Sequence, residues 1–340
     1  MSFSKIILLF IILFFCKKIS LAGIYGVPCY YCHFKPEYST CLGCHGGGSS
    51  KVGYIGTVAV PKVLHTDSSG DLAGGNFAYI TGAKQGLGNP NRRGHNVIDL
   101  GQSYKESEGN FFYPPGTVHS NYFTSDWRNL LTCSGYHGCH GYRKQGDPSY
   151  TGFYALYGSH HNNISGALNN PDSPKNSYRF LYGVKGYEIG DWENRDSSSH
   201  NEYFGSTQPL NVSECNSCHE GSYIKPKNNT ISGFCATCHG NFHGENFTGS
   251  RSPWLRHPTD RLLPNAHPYN KYTLYDVNVP IARTTVPSAP SSIVSPGQDV
   301  VMCLSCHYAH ASPYPSMLRW DYNLVSGNNK IGCKVCHEDK

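Results

Sequence analysis

Six pairs of cysteines in this 340-residue sequence share one spacing, in which two residues separate the cysteines and a histidine directly follows the second. The thiols of such a pair can add to the two vinyl groups of a haem, and the adjacent histidine can then bind the iron from one face. Neither disulfides nor zinc sites require a histidine at this one offset. The pattern therefore predicts covalently attached haem c. The predicted sites are Cys29, Cys32 and His33; Cys41, Cys44 and His45; Cys215, Cys218 and His219; Cys235, Cys238 and His239; Cys303, Cys306 and His307; and Cys333, Cys336 and His337.

A seventh pair departs from this spacing, because five residues separate Cys133 from Cys139, which His140 follows. A wider loop can bulge so that both thiols reach the vinyl groups, and the pair still ends in Cys-His. We therefore expect about seven haems, one for each motif pair, with His140 as a proximal ligand and His137 as a loop residue. The alternative, which the sequence leaves open, is a disulfide between Cys133 and Cys139.

An iron that carries electrons without binding substrate needs a second axial ligand. The sequence has 18 histidines, of which seven directly follow a motif cysteine, and only 3 methionines. Methionine ligation raises a haem potential, but Met302 and Met317 are the only methionines beyond Met1. The sequence therefore predicts low-potential haems with two histidine ligands each.

Several of the remaining histidines are candidates for the distal axial positions. His243 and His310 follow proximal histidines so closely that each is expected to reach a neighbouring haem. Other candidates stand in turn-like loops, where His160 could replace its neighbour His161. The full set of candidates is His65, His95, His119, His161, His200, His243, His257 and His310. The expected bystanders are His137 and His267.

The N-terminus has the pattern of a secretory signal peptide. Lys5 precedes an apolar run from Ile6 to Cys16, and Ser20-Leu21-Ala22 predicts cleavage near Ala22. A membrane-spanning helix needs roughly 20 apolar residues, so an uncleaved anchor is the less favoured alternative. We therefore expect removal of residues 1–22 and export to the periplasm, the outer surface or the extracellular space.

Composition favours a loop-rich fold. The chain contains 37 Gly, 21 Pro and 25 Tyr, with a charged fraction of 15% and a mean hydropathy of -0.45. Few periodic apolar segments could form long helices or a continuous sheet. We expect mostly irregular structure with a few short helices, organised around a stacked haem array. Porphyrin faces would then supply the hydrophobic interior, and the chain should not fold without haem.

The motifs are spread along the chain without a sharp repeat period. We therefore expect residues 23–340 to form a single domain, in which the Pro-, Ser- and Thr-rich segment 283–298 is a surface linker. The formal net charge of +5 is distributed without basic clusters. This charge pattern indicates no nucleic-acid partner, and membrane contact is expected only through partners.

Several segments outside the cysteine pairs carry a family resemblance. They are 72–77, 94–97, 254–260, 303–314, 317–322 and 332–337. Together with the motifs, they resemble the doubled CXXCH multihaem cytochromes of metal-reducing and syntrophic bacteria. The resemblance implies electron transfer outside the cytoplasm to other redox proteins or extracellular acceptors, in some similar proteins as a homopolymeric filament. It also implies distal ligation by His95, His257 and His310. The sequence departs from the family at Pro36, where a distal histidine would be expected.

The sequence favours an electron carrier over an enzyme. Electrons would hop along closely spaced haems, while the chain supplies axial ligands and burial, and no catalytic residue is expected. One alternative is a multihaem reductase with an open haem for nitrite, sulfite or a similar substrate, for which the irregular motif 133–140 is the best location. Another is a subunit of a haem-lined filament, which the sequence does not distinguish from a soluble carrier.

Overall fold

The computed structural model describes residues 40–101, 114–117, 130–147, 152–162, 165–193, 195–208, 210–212, 214–243, 257–325 and 329–338. The predicted signal peptide lies outside these ranges. The predicted haem-binding residues Cys29, Cys32 and His33 and the candidate His119 also lie outside them. Within the described ranges, no helix has the length and apolar character needed to span a membrane.

The described chain is loop-rich. Its four α-helices are short, and the longest has nine residues. They are α1 (Cys41–His45), α2 (Ala78–Thr81), α3 (Ile231–His239) and α4 (Cys333–Cys336). Short 3-10 turns occur at Pro90–Arg92, Ile98–Leu100, Gly152–Leu156, Ser159–His161, Pro174–Asn176, Tyr178–Phe180, Cys215–Ser217, Gly240–Phe242, Tyr269–Lys271, Cys303–Ser305, Pro315–Met317 and Tyr322–Leu324. The predicted loop-rich fold with a few short helices is confirmed.

The strands are equally short and form small sheets. They are β1 (Val52–Ile55), β2 (Val58–Pro61), β3 (Thr132–Ser134), β4 (Gly138–His140), β5 (Gly166–Leu168), β6 (Gly186–Glu188), β7 (Glu202–Phe204), β8 (His219–Glu220), β9 (Tyr223–Ile224), β10 (Arg261–Leu262), β11 (Ala282–Arg283) and β12 (Val300–Val301). β1 and β2 pair antiparallel, as do β8 and β9, whereas β3 and β4 pair parallel. The remaining strands form one six-stranded sheet in the order β10-β12-β11-β7-β6-β5.

Three clusters of buried apolar side chains lie beside the motif cysteines. The first is built around Val300 of the sheet and includes Phe234 of α3. The second surrounds Ile281, and the third surrounds Phe77. Motif cysteines pack against all three clusters: Cys139, Cys336 and Cys133, respectively. The hydrophobic packing of the polypeptide is therefore placed where the motifs are.

A buried ion-pair network joins β7, β11 and the turn before β12. The Arg283 guanidinium donates to Glu202 at 2.9 Å and to Asp299 at 2.7 Å, and all three residues are buried. Arg283 also begins the segment 283–298, which was expected to be a surface linker. Within that segment, Val294 is buried against the second cluster. The segment therefore starts on the sheet and packs part of its length against the interior.

Candidate haem-binding sites

Short helical turns present most of the motif cysteines. α1 contains one whole motif, the end of α3 contains another, and α4 contains the last pair of cysteines. Thr40 caps α1 and Thr230 caps α3, each by accepting a hydrogen bond from a backbone N–H of the first turn. The motifs that begin at Cys215 and Cys303 form 3-10 turns. Residues three apart in such turns share one face, so both thiols of a motif point to the same side.

The α1 motif, formed by Cys41, Cys44 and His45, is held against the end of the β1–β2 hairpin. Lys62, directly after β2, donates from Nζ to the Cys44 carbonyl at 2.6 Å and to the Gly46 carbonyl at 3.1 Å. The Cys41 and Cys44 thiols are half-buried and form no disulfide. A lysine therefore satisfies carbonyls at the C-terminal end of the helix.

In the irregular motif 133–140, the two cysteines lie on paired strands instead of in a helical turn. β3 and β4 pair in parallel with Thr132 opposite Gly138 and Ser134 opposite His140, which places Cys133 across from Cys139. Neighbouring strands lie about 4.8 Å apart, close to the roughly 5–6 Å between Cβ atoms of residues three apart on a helix. The two cysteines are not joined by a disulfide. The five intervening residues therefore fold so that the backbones of Cys133 and Cys139 lie opposite each other.

Four pairs of histidine rings face each other at nearly one distance. Each pair joins a proximal histidine of a motif to a histidine from elsewhere in the chain. Metal–nitrogen bonds of about 2 Å on both sides of one ion would place two imidazole centroids about 6 Å apart. The observed pairs are His45 with His160 at 6.2 Å, His239 with His95 at 6.2 Å, His140 with His310 at 6.1 Å and His337 with His257 at 6.1 Å. Their spacing fits a metal ion held between the rings.

Backbone carbonyls fix the orientation of many of these rings. A carbonyl can only accept a hydrogen bond, so the ring Nδ1 must carry the proton, and Nε2 is left with the lone pair that a metal needs. The proximal rings bonded in this way are His45 to Pro61 (2.9 Å), His140 to Arg179 (2.9 Å), His239 to Pro115 (2.7 Å) and His307 to Ser316 (2.7 Å). The distal rings are His95 to Ala309 (2.8 Å) and His257 to Pro258 (3.1 Å).

Burial favours the neutral form of six of these rings. Burial, followed by the charges of neighbouring histidines, lowers the pKa of His310 to about 3. The same two causes lower the pKa of His239 to about 4. Burial also lowers the pKa of the other rings for which a shift is resolved: His45, His95, His140 and His307. A neutral imidazole is the form that binds a metal.

Three other distal candidates have both ring nitrogens engaged by protein groups. His243 accepts from the Leu210 N–H through Nδ1 at 3.2 Å, and its Nε2 lies 3.0 Å from Asp260. His200 contacts the Asp196 carbonyl and the Glu202 carboxylate, and its ring stacks on Tyr275 with centroids 3.7 Å apart. His65 accepts from the Asp67 N–H at 3.2 Å, and its Nε2 lies 3.2 Å from the Asn76 amide. Protein groups therefore engage both ring nitrogens of His65, His200 and His243, and their assignment as distal ligands stays a prediction.

The ring opposite His45 belongs to a histidine that the sequence analysis ranked second. His160 and His161 are adjacent, so spacing does not distinguish them, and the sequence analysis favoured His161. The structure places the His160 ring against His45 and also 5.4 Å from Phe180. Both histidines belong to the 3-10 turn Ser159–His161.

Two described proximal histidines have no partner among these four pairs. His307 is held by Ser316, as above, and His219 is the first residue of β8. The candidate His119 lies outside the described residues, as does the side chain of His161. The sequence candidates for these two positions therefore stay predictions.

The first motif of the chain also stays a prediction. Its two cysteines, Cys29 and Cys32, and its proximal histidine, His33, precede the first described residue, Thr40. Their assignment as a haem-binding site therefore depends on spacing alone, which is the same as in the α1 motif.

Neighbouring motifs approach each other through their cysteines in the first half of the chain. The Sγ atoms of Cys41 and Cys133 and a carboxylate oxygen of Asp99 all lie within 4.8 Å of one another. Burial raises the pKa of Cys139 to about 11, and the nearby Cys238 thiol contributes to the rise. The motif 133–140 thus lies between the motif of α1 and the motif of α3.

The same relationship continues toward the C-terminus. A hydrogen bond from Cys235 lowers the pKa of Cys303 to about 7. Burial raises the pKa of Cys306 to about 12, and the charges of Cys333 and Cys336 add to this rise. The motifs therefore follow one another in space in the order 41–45, 133–140, 235–239, 303–307 and 333–337, with 215–219 beside 235–239.

The donor set fits haem c. Each described motif offers two thiols on one side of a turn, which suits the two vinyl groups. At four motifs a second imidazole also stands opposite the proximal ring, which suits six-coordinate iron. Zinc sites do not require a second histidine at a repeated distance from the motif histidine.

Comparison with known proteins identifies the C-terminal segment. Residues 296–340 match the family model for the doubled CXXCH motif, which confirms the resemblance there. Two solved structures are similar to this chain. The cryo-EM structure of the OmcS nanowires from Geobacter sulfurreducens is 20% identical, with 82% of this chain and 73% of that chain covered and a TM-score of 0.42. The outer membrane cytochrome S filament from Geobacter sulfurreducens is 17% identical, with 83% and 74% covered and a TM-score of 0.41. None of the curated proteins matches this chain.

Proposed function

We propose that this chain is an exported multihaem c-type cytochrome that carries electrons along seven haems, one for each motif pair. The motif cysteines would hold each haem covalently, and the histidine that ends the motif would be its proximal ligand. At four sites the distal ligand would come from outside the motif. These distal ligands are His160, His310, His95 and His257 for the motifs 41–45, 133–140, 235–239 and 333–337, respectively.

The repeated pairing of histidine rings carries this proposal. Four pairs, each joining distant parts of the chain, have centroid separations of 6.1 or 6.2 Å. Packing alone gives no reason for one repeated separation, whereas a metal bound between two imidazoles requires it. The backbone carbonyls behind the rings add to the argument, because metal-binding histidines almost always donate their other ring proton to such a group.

The bound haems would supply the electron acceptor and donor chemistry. The chain's own residues orient the imidazole rings, lower the pKa of buried rings such as His310 and His239, and hold consecutive motifs close together. Contacts between cysteines of successive motifs, such as Cys41 with Cys133 and Cys235 with Cys303, support a continuous path. No side chain has to act as a nucleophile or as a general acid.

The irregular motif is proposed to hold the seventh haem. The parallel pairing of β3 with β4 aligns Cys133 and Cys139, and His310 stands opposite His140. These are the same features that the helical motifs have. A disulfide between the two cysteines would not account for the facing histidine.

The position of the His310 ring opposite His140 favours an electron carrier over a reductase. The enzyme alternative placed an open haem at the motif 133–140, because its spacing is irregular. An open site needs a free axial position, and the ring of His310 lies on the side of His140 where such a position would be. We therefore propose a carrier whose partners are other redox proteins or extracellular electron acceptors. Export is proposed from the pattern of residues 1–22.

Intact mass spectrometry of the exported protein tests the proposal. The chain is produced in a host that has haem-attachment machinery and is measured under denaturing conditions, which retain covalent haem. We expect a chain that begins near Gly23 and carries seven haems. A chain without haem would overturn the proposed function. Six haems and a mass lower by two hydrogen atoms would show a disulfide at Cys133 and Cys139 and would contradict the seventh site alone.

A further inference from the structure

Arg143 is a buried cation at the place where three motifs meet. It lies shortly after the motif 133–140. Its backbone carbonyl accepts a hydrogen bond at 3.0 Å from the N–H of Ile224, which belongs to β9, shortly after the motif 215–219. Its guanidinium donates to the Cys238 Sγ at 3.4 Å, in the motif of α3. The residue is only 2% exposed. The side chain of Arg143 thus contacts the α3 motif, while its backbone pairs with the strand beside the motif 215–219.

Among the residues that the structure describes, no carboxylate compensates the positive charge of Arg143. Its other hydrogen bond goes to the neutral hydroxyl of Thr237 at 2.7 Å, and the guanidinium lies 5.0 Å from the centroid of the Phe234 ring. The buried Nε has no hydrogen-bond partner. Among the described residues, no acidic side chain forms an ion pair with Arg143, whereas the buried Arg283 is paired with two carboxylates. An unpaired buried cation is costly, so a functional reason for it is expected.

The guanidinium of Arg143 lies on the thiol side of the α3 motif, where it donates to the Cys238 Sγ. In haem c the propionates leave the porphyrin edge opposite the two thioether bonds. The motif cysteines near Arg143 therefore bring no haem carboxylate to neutralise it.

We infer that Arg143 raises the reduction potential of the haem held by Cys235, Cys238 and His239, and so makes this haem the preferred position for an electron in the array. This inference rests on the proposed function. Reduction adds one negative charge to a haem, and an unpaired cation in a poorly polarisable interior stabilises that charge. The effect is greatest at this haem because the guanidinium contacts Cys238 itself. An electron in the array would therefore reside mainly on the haem of the motif 235–239, next to the motifs 133–140 and 215–219.

Spectroelectrochemical titration of the holoprotein tests the inference. Arg143→Gln removes the charge, whereas Arg143→Lys keeps it. We expect Arg143→Gln to lower the highest midpoint potential. At a fixed potential, the ratio of reduced to oxidised haem should fall at least ten-fold, which corresponds to about 59 mV for a one-electron couple. Arg143→Lys should retain most of the wild-type potential. Arg92→Gln, which removes a charge from an exposed position, is the matched control and should change nothing.

A spectral label assigns the shift to one haem. His95→Met replaces the ligand opposite His239, and a methionine-bound ferric haem has its own far-red absorption band. In this background, Arg143→Gln should lower the potential at which that band disappears. Unchanged midpoints in Arg143→Gln, or a shift confined to unlabelled haems, would overturn the inference. Mass spectrometry keeps the two claims separate, because seven attached haems with unaltered midpoints would reject the role of Arg143 but not the proposed carrier.

A second pair of variants keeps the test decisive if Arg143→Gln does not accumulate with haem. Thr237→Glu places a carboxylate beside the guanidinium, and Thr237→Gln is its uncharged control. The inference requires the same midpoint potential to be lower in Thr237→Glu than in Thr237→Gln. At a fixed potential, the ratio of reduced to oxidised haem should be at least ten-fold smaller in Thr237→Glu. Equal midpoints in the two variants would overturn it.

Discussion

The rings of His140 and His310 face each other with centroids 6.1 Å apart, although the first ends the irregular motif and the second follows the motif 303–307. His140 is held by the Arg179 carbonyl at 2.9 Å, and His310 stacks on Phe77 with centroids 4.9 Å apart. Each ring is thus positioned by its own surroundings. A haem bound between them would connect the middle of the chain to its C-terminal segment.

Carbon monoxide binding distinguishes ligands from packed histidines. With a histidine on each side of every iron, the reduced wild-type protein should be low-spin and should not bind carbon monoxide. His310→Ala removes one distal ligand, so we expect one equivalent of carbon monoxide per chain, measured by the change in the Soret band. His200→Gln is the control, because both nitrogens of His200 are engaged by Asp196 and Glu202.

Two results would contradict this assignment. Stoichiometric binding to the native wild type would indicate an open haem and favour the reductase. If carbon monoxide bound to His200→Gln but not to His310→Ala, His200 would be a distal ligand and His310 a packed histidine.

Replacing a distal histidine by methionine should change one potential. His257 faces His337 with centroids 6.1 Å apart, and its Nδ1 donates to the Pro258 carbonyl. Methionine ligation raises haem potentials, and axial ligands span roughly 0.8 V, so we expect His257→Met to raise one midpoint by on the order of 0.1 V. The other midpoints should change little. A redox titration identical to that of the wild type would remove His257 from the ligands.

The shape of the irregular motif depends on a glycine. A Cβ at Gly138 would lie 2.5 Å from the Ser134 backbone, so β3 and β4 cannot keep their spacing around a larger residue. Strain of this kind typically costs about 1–3 kcal/mol. We expect Gly138→Ala to lower the fraction of chains with seven haems, as measured by intact mass. Gly190→Ala is the matched control, since a Cβ there meets nothing within 4 Å. Equal haem counts in both variants would show that this close packing is not needed for attachment.

Much of the site was predictable because haem attachment is encoded locally. Spacing alone predicts the attachment cysteines and the proximal histidines, and the composition predicted the loop-rich fold that the structure has. The distal ligands were harder, because they are set by contacts that only the fold creates. His65, His200 and His243 were chosen by position, yet buried groups engage their nitrogens. For His200 a local signal existed, since its partner Glu202 is two residues away. For the others, the partners Asn76 and Asp260 come close only after folding.

The polypeptide without haem should not form a stable fold. Its apolar clusters are small, and each has a motif cysteine packed against it, so they surround the attachment sites instead of forming one independent core. The longest described helix has nine residues, which is too short to be stable alone. We expect the mature chain made without attachment machinery to show no cooperative thermal transition by circular dichroism. The holoprotein is the control, and a cooperative transition of the apo chain would show that the polypeptide core is sufficient.

Removal of Cys139 should interrupt the electron path. The motif 133–140 touches the α1 motif through Cys41, and Cys139 lies close enough to Cys238 for that thiol to influence its pKa. Cys139→Ser should therefore lower the haem count by one and separate the N-terminal haems from the later ones. Cys336→Ser is the matched control, because it disrupts a haem at the end of the described order. We expect electron transfer across the protein, measured by stopped-flow oxidation after full reduction, to slow more in Cys139→Ser than in Cys336→Ser. If the two variants were equally fast, the motif 133–140 would lie off the main path.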